Sequence, residues 1–325
     1  MTMGPLLAMA ISDAYGAGFE FAPPAFIKKH NKMKGYVTHP KFTTRPDGAY
    51  TDDTQMTIGL VEHLLSDEPW TPRNLAHRWV HGYHRDPHTG YAQGFYDFLQ
   101  VNGTGAQFLA NIQPHSAKNG GAMRAFPCGY FPNPRDVRDM AMFQASLTHA
   151  TYDGMRAAAA AALMFHFCYY KLGEKGSLGA FLAEWVPGTN WMEGLNPKGN
   201  PVEGIHTVQR ALAVLLRSTS LADAIRTAVA LGGDTDTVAA IVAPCVAVCD
   251  NMPNNVPAVL FGGLENGHYG RDYIQTLDEQ LLAKYPPTLK VAPVQLALPV
   301  IASGLTVLKA IETAAGPLDF LFEDY

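Results

Sequence analysis

The chain has 325 residues, a formal charge of -5 and a pI near 6.2, and its charges form no long single-sign run. It therefore lacks the electrostatic footprint of a nonspecific nucleic-acid or anionic-membrane binder. A 35.2 kDa chain buries roughly three quarters of its unfolded surface, so its core needs neither disulfides nor a structural metal.

The amino terminus has an apolar stretch, Pro5 to Ile11, with no basic residue before it and Asp13 close behind, which argues against a signal peptide. Gly35 to Thr38 reads as a short strand. From Asp53, the residues Met56, Ile58, Leu60, Val61, Leu64 and Leu65 recur at mixed three and four spacing until Pro69. That pattern predicts an amphipathic helix capped by Thr51 or Asp52. His77, His81, His84 and His88 follow, with His77 and His81 on one helix face. They lack a cysteine, an HExxH pattern and enough nearby acids for zinc, and read as a polar helix face. Tyr83, Tyr91, Phe95, Tyr96 and Phe98 suit a core, or the wall of a cleft.

The Ala-rich segment Met155 to Tyr170 has high helix propensity and ends near Gly173; His166 within it reads as a hydrogen-bonded core residue. Glu203 to Leu216 and Ser220 to Leu231 both carry apolar residues at helical spacing, and Gly232-Gly233 breaks the second. Thr237 to Val248 is apolar on nearly every face, the mark of a central helix that Pro244 should kink or interrupt. Val291 to Ile311 is long and apolar, but Pro293, Gln295, Pro299, Gly304 and Lys309 interrupt it, so it reads as a packed tail rather than a bilayer span. Strand signals are confined to Gly35 to Thr38 and Val291 to Val300. No repeat or linker divides the chain. The expectation is an all-α, single-domain helical bundle over 1–325, with 287–325 as a carboxyl-terminal extension. Cys128, Cys168, Cys245 and Cys249 form no CxxC pair or zinc-finger spacing, which suits a reducing cytoplasm.

Two acidic clusters carry the chemistry. Thr51-Asp52-Asp53-Thr54 and Asp234-Thr235-Asp236-Thr237 each begin an apolar run, and together they supply four carboxylates and four hydroxyls. Helix capping and the helix dipole account for one such residue per helix. They do not account for both clusters, one of them behind a glycine pair that lets the backbone approach closely. Gathered carboxylates stay ionised only beside positive charge, and hard oxygen ligands suit Mg²⁺, Mn²⁺ or Ca²⁺. An aspartyl-phosphate nucleophile at Asp234 to Asp236 is disfavoured, because the preceding segment reads as helix rather than as a buried strand.

Four separated segments complete a pattern: Asp13-Ala14-Tyr15-Gly16 with Glu20; Tyr50 to Thr54; Asn119-Gly120-Gly121-Ala122-Met123-Arg124 followed by Leu147-Thr148-His149; and Leu231 to Thr237. In this order, over about residues 4–250, the chain resembles the ADP-ribosylglycohydrolases. That resemblance implies an all-α fold of the ADP-ribosylglycohydrolase type, with two Mg²⁺ (or Mn²⁺) ions held by Thr51, Asp52, Asp53, Asp234, Asp236 and Thr237. It implies that Glu20 lies on a mobile segment beside the metals, that Ser116 to Gly121 holds the diphosphate, and that His149 approaches the diphosphate or the adjacent ribose. Ser116, Asn119, Gly120, Gly121, Met123 and His149 are thus the implied substrate contacts. Proton transfer at C1″ falls to Glu20 or Asp53, and the residues leave that choice open.

The implied substrate is an ADP-ribosylated protein or other acceptor, the product ADP-ribose, with no stable nucleic-acid or membrane partner. A noncatalytic ADP-ribose binder or immunity protein on the same fold is the competing reading. Lys118 and Ala117 depart from the glycine and the aromatic residue common in relatives, and Ser12 from the glycine usual before Asp13. Ala243 and Pro244 replace small residues of the central helix. None of these changes touches an implied ligand.

Overall fold

The computed structural model describes residues 3–191 and 200–288, and in them the apolar periodicity becomes fifteen α-helices with no β-strand. The first half holds α1 (Pro5–Ala17), α2 (Pro24–His30), α3 (Asp52–Leu65), α4 (Pro72–Arg85), α5 (Gln93–Val101), α6 (Gly105–Asn111), α7 (Gly120–Met123) and α8 (Pro134–Ser146). The second holds α9 (Tyr152–Tyr169), α10 (Leu178–Trp185), α11 (Gly204–Arg217), α12 (Leu221–Ala230), α13 (Thr235–Ala247), α14 (Ala258–Gly263) and α15 (Arg271–Lys284).

Local chemistry sets many of the boundaries. Thr71, Thr151 and Ser220 accept from backbone N–H groups three residues ahead, opening α4, α9 and α12, as short polar caps do. Proline supplies the first turn of α1, α2, α4 and α8, where its missing N–H costs nothing. No side chain of Gly4 can cap α1, and Asp278 of α15 takes that role: its carboxylate accepts from Leu6 N and Leu7 N, both at 2.9 Å.

Two helices form the centre. In α9 every residue from Gly154 to Tyr169 is buried, and the small Ala157–Ala162 face lets α7, α8, α11 and α13 crowd against it. In α13 every residue from Thr235 to Val246 is buried. The helix runs through Pro244 to Ala247 rather than ending there; so close to the terminus, proline frees a single carbonyl. α1 packs along α13, and Gly16 makes the contact: a Cβ there would stand 2.5 Å from Asp236 Cα. Thr235 Oγ1 donates to the Gly16 carbonyl at 2.9 Å, fastening the two helices.

The strand expected at Gly35 to Thr38 is an irregular stretch that finds no pairing partner. Its Val37 carbonyl instead lies against Gly18, at the end of α1, where only a glycine leaves room. The segment Val291 to Ile311, and nearly all of the extension set apart from residue 287, lie outside the described residues. No helix among the described residues is long and apolar enough to cross a membrane.

Candidate active site

The first turns of α3 and α13, separated by most of the chain, open on one cleft of about 780 Å³. Asp52, Asp53, Asp234, Asp236 and Thr237 line it together with Glu20 from the turn after α1. Glu20, Asp234 and Asp236 each offer an oxygen within 4.8 Å of the others, the only such acidic group among the described residues. Thr51 stands just behind this surface, fully buried.

Asp13, deep in α1, fixes the first cluster. Its Oδ1 accepts from Thr51 Oγ1 at 2.7 Å, and its Oδ2 accepts from Thr51 N at 2.9 Å, Thr54 N at 3.1 Å and Thr54 Oγ1 at 2.6 Å. With four donors on one carboxylate, Asp13 is the clamp for the start of α3. The second cluster is held by Asn119, whose Nδ2 donates to Asp234 Oδ2 at 2.8 Å. Gly232 and Gly233 precede it with φ of 66° and 74°, a left-handed pair suited to glycine. Arg210 donates to the carbonyls of Leu231 and Gly232.

Glu20 is set from several sides. Its carbonyl accepts from His39 Nε2 at 2.7 Å, and its carboxylate lies 3.6 Å from the Arg45 guanidinium. The next residue, Phe21, donates its N–H to the Gly233 carbonyl at 2.8 Å.

Burial and mutual repulsion weaken the acids in this group by raising their pKa values. Desolvation lifts Asp52, Asp53 and Asp236 well above the ordinary carboxylate range, and the neighbouring acids add to it. Glu20 is pushed up to about 7, first by burial and then by Asp234, with Arg45 opposing. Asp53 Oδ1 is buried without a hydrogen-bond partner. A buried carboxylate oxygen lacking a donor, among other carboxylates, is what a hard cation satisfies, so the donor set fits a divalent metal.

The wall opposite is built on the loop before α7. Isolated bridges join His115 to His149 and Lys118 to Glu203, and Asn119 N donates to the Val202 carbonyl at 3.0 Å. Ser116, Lys118, Asn119, Gly120, Met123, Arg124, Thr148 and His149 all face the cleft. Gly121 is buried beneath them, where a Cβ would press on Ala145 and His149.

Arg124 donates to Thr148 Oγ1 at 2.6 Å and to Gln144 Oε1 at 2.8 Å, and stacks on Trp79 with 4.1 Å to the ring centre. Gln144 in turn donates to the Gly121 carbonyl at 2.7 Å. Burial, with Arg124 and Lys118 nearby, pushes His149 down to about 3, so its ring is neutral.

The residues expected from sequence thus line or back one cleft. Asn119, anticipated as a diphosphate contact, spends its amide on Asp234 and Thr207. Among the aromatics, Tyr83 and Tyr91 are core, whereas Phe95 and Phe98, stacked at 5.7 Å, line the cleft. His77, His81 and His84 are exposed on α4, but His88 departs from that polar face and packs at 4.1 Å on Tyr50. His166 is a core residue with Nδ1 3.2 Å from the Gly129 carbonyl, as expected. Asp13, Arg45, Arg124 and Arg210 have roles that are not evident from the sequence; Asp13 and Arg124 lie inside the motifs, but their partners come from other helices.

Comparison with known proteins agrees with this architecture. The sequence pattern of the family described as ADP-ribosylglycohydrolase matches residues 2–289. The chain is similar to ADP-ribosylhydrolase ARH3 of Danio rerio, 31% identical over 175 residues, which is 50% of this chain and 46% of that protein. The same protein of Mus musculus is 36% identical over 125 residues, 36% of this chain and 34% of the relative. ADP-ribosyl-(dinitrogen reductase) glycohydrolase of Rhodospirillum rubrum is 24% identical over 152 residues, 45% of this chain and 50% of the relative. These matches span between about one third and one half of the relatives' own length. A solved structure described as an ADP-ribosylglycohydrolase-related protein complex shares the fold, with a TM-score of 0.67, 24% identity, and coverage of 87% of this chain and 96% of that one.

Proposed function

The chain belongs to the ADP-ribosylglycohydrolase family, and on that premise we propose that it is a metal-dependent ADP-ribosyl hydrolase. It cleaves the C1″ glycosidic bond between ADP-ribose and an acceptor, a modified protein side chain first of all, and so reverses ADP-ribosylation. The observation that carries this reading is the convergence of Glu20, Asp52, Asp53, Asp234 and Asp236 on one cleft, with Asp53 Oδ1 buried and unpartnered. A protein that only bound an anionic ligand would gain nothing from a second set of negative charges beside it.

In this proposal Thr51, Asp52, Asp53, Asp234, Asp236 and Thr237 hold two Mg²⁺ (or Mn²⁺) ions. When bound, such ions supply positive charge that binds the ribose hydroxyls and favours attack at C1″. Thr51 Oγ1 donates to Asp13 and accepts from Asp53 N, which leaves it one lone pair for a cation. Departure from C1″ develops oxocarbenium character, which nearby carboxylates stabilise. Between the two candidates for proton transfer, we assign Glu20. It lies beside Arg45 at the cleft surface and, pushed up to about 7, holds or releases a proton at its carboxylate near neutral pH, whereas the orphaned oxygen of Asp53 reads as a ligand.

The loop Ser116 to Gly121, Met123 and His149 take the diphosphate and its ribose. His149 meets it as a neutral ring, and Phe95 with Phe98 gives the adenine an apolar wall. ADP-ribose is the product. The test is release of labelled ADP-ribose from a modified protein with Mg²⁺, with EDTA, and after Mg²⁺ is restored. Reversible loss in EDTA is expected; tight ADP-ribose binding without release would identify a noncatalytic binder.

A further inference from the structure

A second cavity, about 720 Å³, opens between α2 and the end of α12. Phe21 lines both this cavity and the carboxylate cleft, so the two meet at the residue next to Glu20. Phe21 is 48% exposed, and its backbone has a φ of 49°, a left-handed conformation that a bulky residue holds only when its surroundings impose it. The bond from its N–H to the Gly233 carbonyl does so. An apolar ring is thereby held in solvent at the junction, where it contributes little to the core.

The cavity's floor includes the buried Ala22 and Ile27, while Lys28, Lys32 and Arg226 stand along it. No acidic side chain lines it among the described residues. Arg226 pairs with Asp223 at 3.1 Å, but Lys28 and Lys32 have no ion partner among the described residues. In a chain of formal charge -5, this is a local reversal of sign, of the kind that attracts an anionic partner.

We propose that this groove is the acceptor subsite, and that it takes a polypeptide segment carrying acidic residues beside the ADP-ribosylated side chain. The inference rests on the hydrolase reading and extends it to the substrate class. With ADP-ribose against the loop at Ser116 to Gly121 and C1″ at the carboxylates, the acceptor leaves past Glu20 and Phe21 into the groove. A polypeptide fits better than a nucleic acid, because a strand of nucleotides needs a longer cationic track with several stacking rings, and Phe21 is the single ring in the lining.

The test compares peptides ADP-ribosylated on serine or arginine and flanked by Glu or by Gln, an ADP-ribosylated oligonucleotide, and ADP-ribose linked to one free amino acid. Wild type should favour the Glu-flanked peptide, and the preference should fade at high salt. The double variant Lys28→Glu/Lys32→Glu should lose roughly tenfold in kcat/KM on that peptide, through KM, as two reversed surface pairs imply. It should turn over the free amino-acid conjugate as wild type does. Equal rates on Glu- and Gln-flanked peptides, or an equal loss by the variant on every substrate, would overturn the groove assignment. Preference for the oligonucleotide would overturn the polypeptide assignment. If wild type cleaves nothing, the hydrolase reading fails separately; anisotropy of a fluorescent Glu-flanked conjugate then decides the groove, with weaker binding by the double variant expected and unchanged binding against it.

Discussion

The Thr148 hydroxyl lies 2.7 Å from Nδ1 of His149. The same oxygen accepts from Arg124 Nη2 at 2.6 Å, and a guanidinium can only donate. That bond leaves the hydroxyl proton free for Nδ1, and the expected tautomer of the neutral ring carries its proton on Nε2, as a donor to the cleft. Thr148→Val should lower kcat/KM by roughly tenfold to a hundredfold, the scale of a misplaced substrate contact, while Thr148→Ser keeps most of the activity. Nitrogen NMR of His149 should report protonated Nε2 and no titration between pH 5 and 8, given a pKa pushed down to about 3. A midpoint near the ordinary histidine value would contradict the neutral ring.

The acidic cluster should trade stability for function. Asp52 is raised by burial and by repulsion from Asp13, Glu20 and Asp234, so deleting its charge relieves the metal-free protein. Asp52→Asn is expected to raise the melting temperature in EDTA by about 1–2 °C, taking about 1 kcal/mol of relief for a chain of this size. It should also reduce ADP-ribose release to background, as should Asp236→Ala. A variant melting lower in EDTA than wild type would mean that these carboxylates are not in conflict.

The pH dependence of metal-free stability follows with a definite sign. Glu20 moves from 4.5 to about 7 on folding, and Asp52, Asp53 and Asp236 are also raised. The folded chain thus keeps protons that the unfolded chain has already released, and stability falls as pH rises from about 4 through about 7. In EDTA the melting temperature should drop by on the order of 5 °C between pH 5 and pH 8. Saturating Mg²⁺ should remove most of that drop, because a ligand bound only by the folded state adds stability. A rise in melting temperature over the same interval in EDTA would reverse the assignment.

Much of this was legible in the sequence because it is local. Three- and four-residue spacing marked α3, α11 and α12, alanine content marked α9, and Thr51 is indeed the cap of α3, with its side chain accepting from Asp53 N. The two acidic clusters announced themselves by composition. What could not be read depends on partners far along the chain: Asp278 capping α1, Asp13 receiving Thr51 and Thr54, Asn119 holding Asp234. The short strand at Gly35 to Thr38 failed for the same reason, since extended residues become a strand only where an edge is available. His88 left its predicted helix face because α4 stops at Arg85.

Asp13 offers a test of that nonlocal design. Asp13→Ala removes the acceptor of two backbone N–H groups and two hydroxyls, all buried. Unsatisfied buried donors cost about 1–3 kcal/mol each before relaxation or water entry, so a loss of at least about 3 kcal/mol is expected in urea unfolding. Mg²⁺-dependent stabilisation should weaken as well, because the start of α3 loses its anchor. Unchanged Mg²⁺ stabilisation would show that Asp53 and Asp52 hold their positions unaided.

Gly16 shows how the helix packing sets the site. A Cβ at this position would stand 2.5 Å from Asp236 Cα and 2.7 Å from Asp236 N. Both are backbone atoms, so no side-chain rotation relieves the clash, and α1 must move away from α13. That movement carries Glu20, just beyond α1, away from Asp234 and Asp236. Gly16→Ala should therefore cost about 1–3 kcal/mol from overpacking and should also depress activity in protein that remains folded. Gly82 in α4 is the control, because a Cβ there meets nothing within 4 Å. Gly82→Ala should raise stability by up to about 1 kcal/mol through helix propensity alone and leave ADP-ribose release unchanged. Urea midpoints and release rates of the two variants separate the effects: equal stability in both would show that the approach of α1 to α13 at Gly16 is not what holds the carboxylates together.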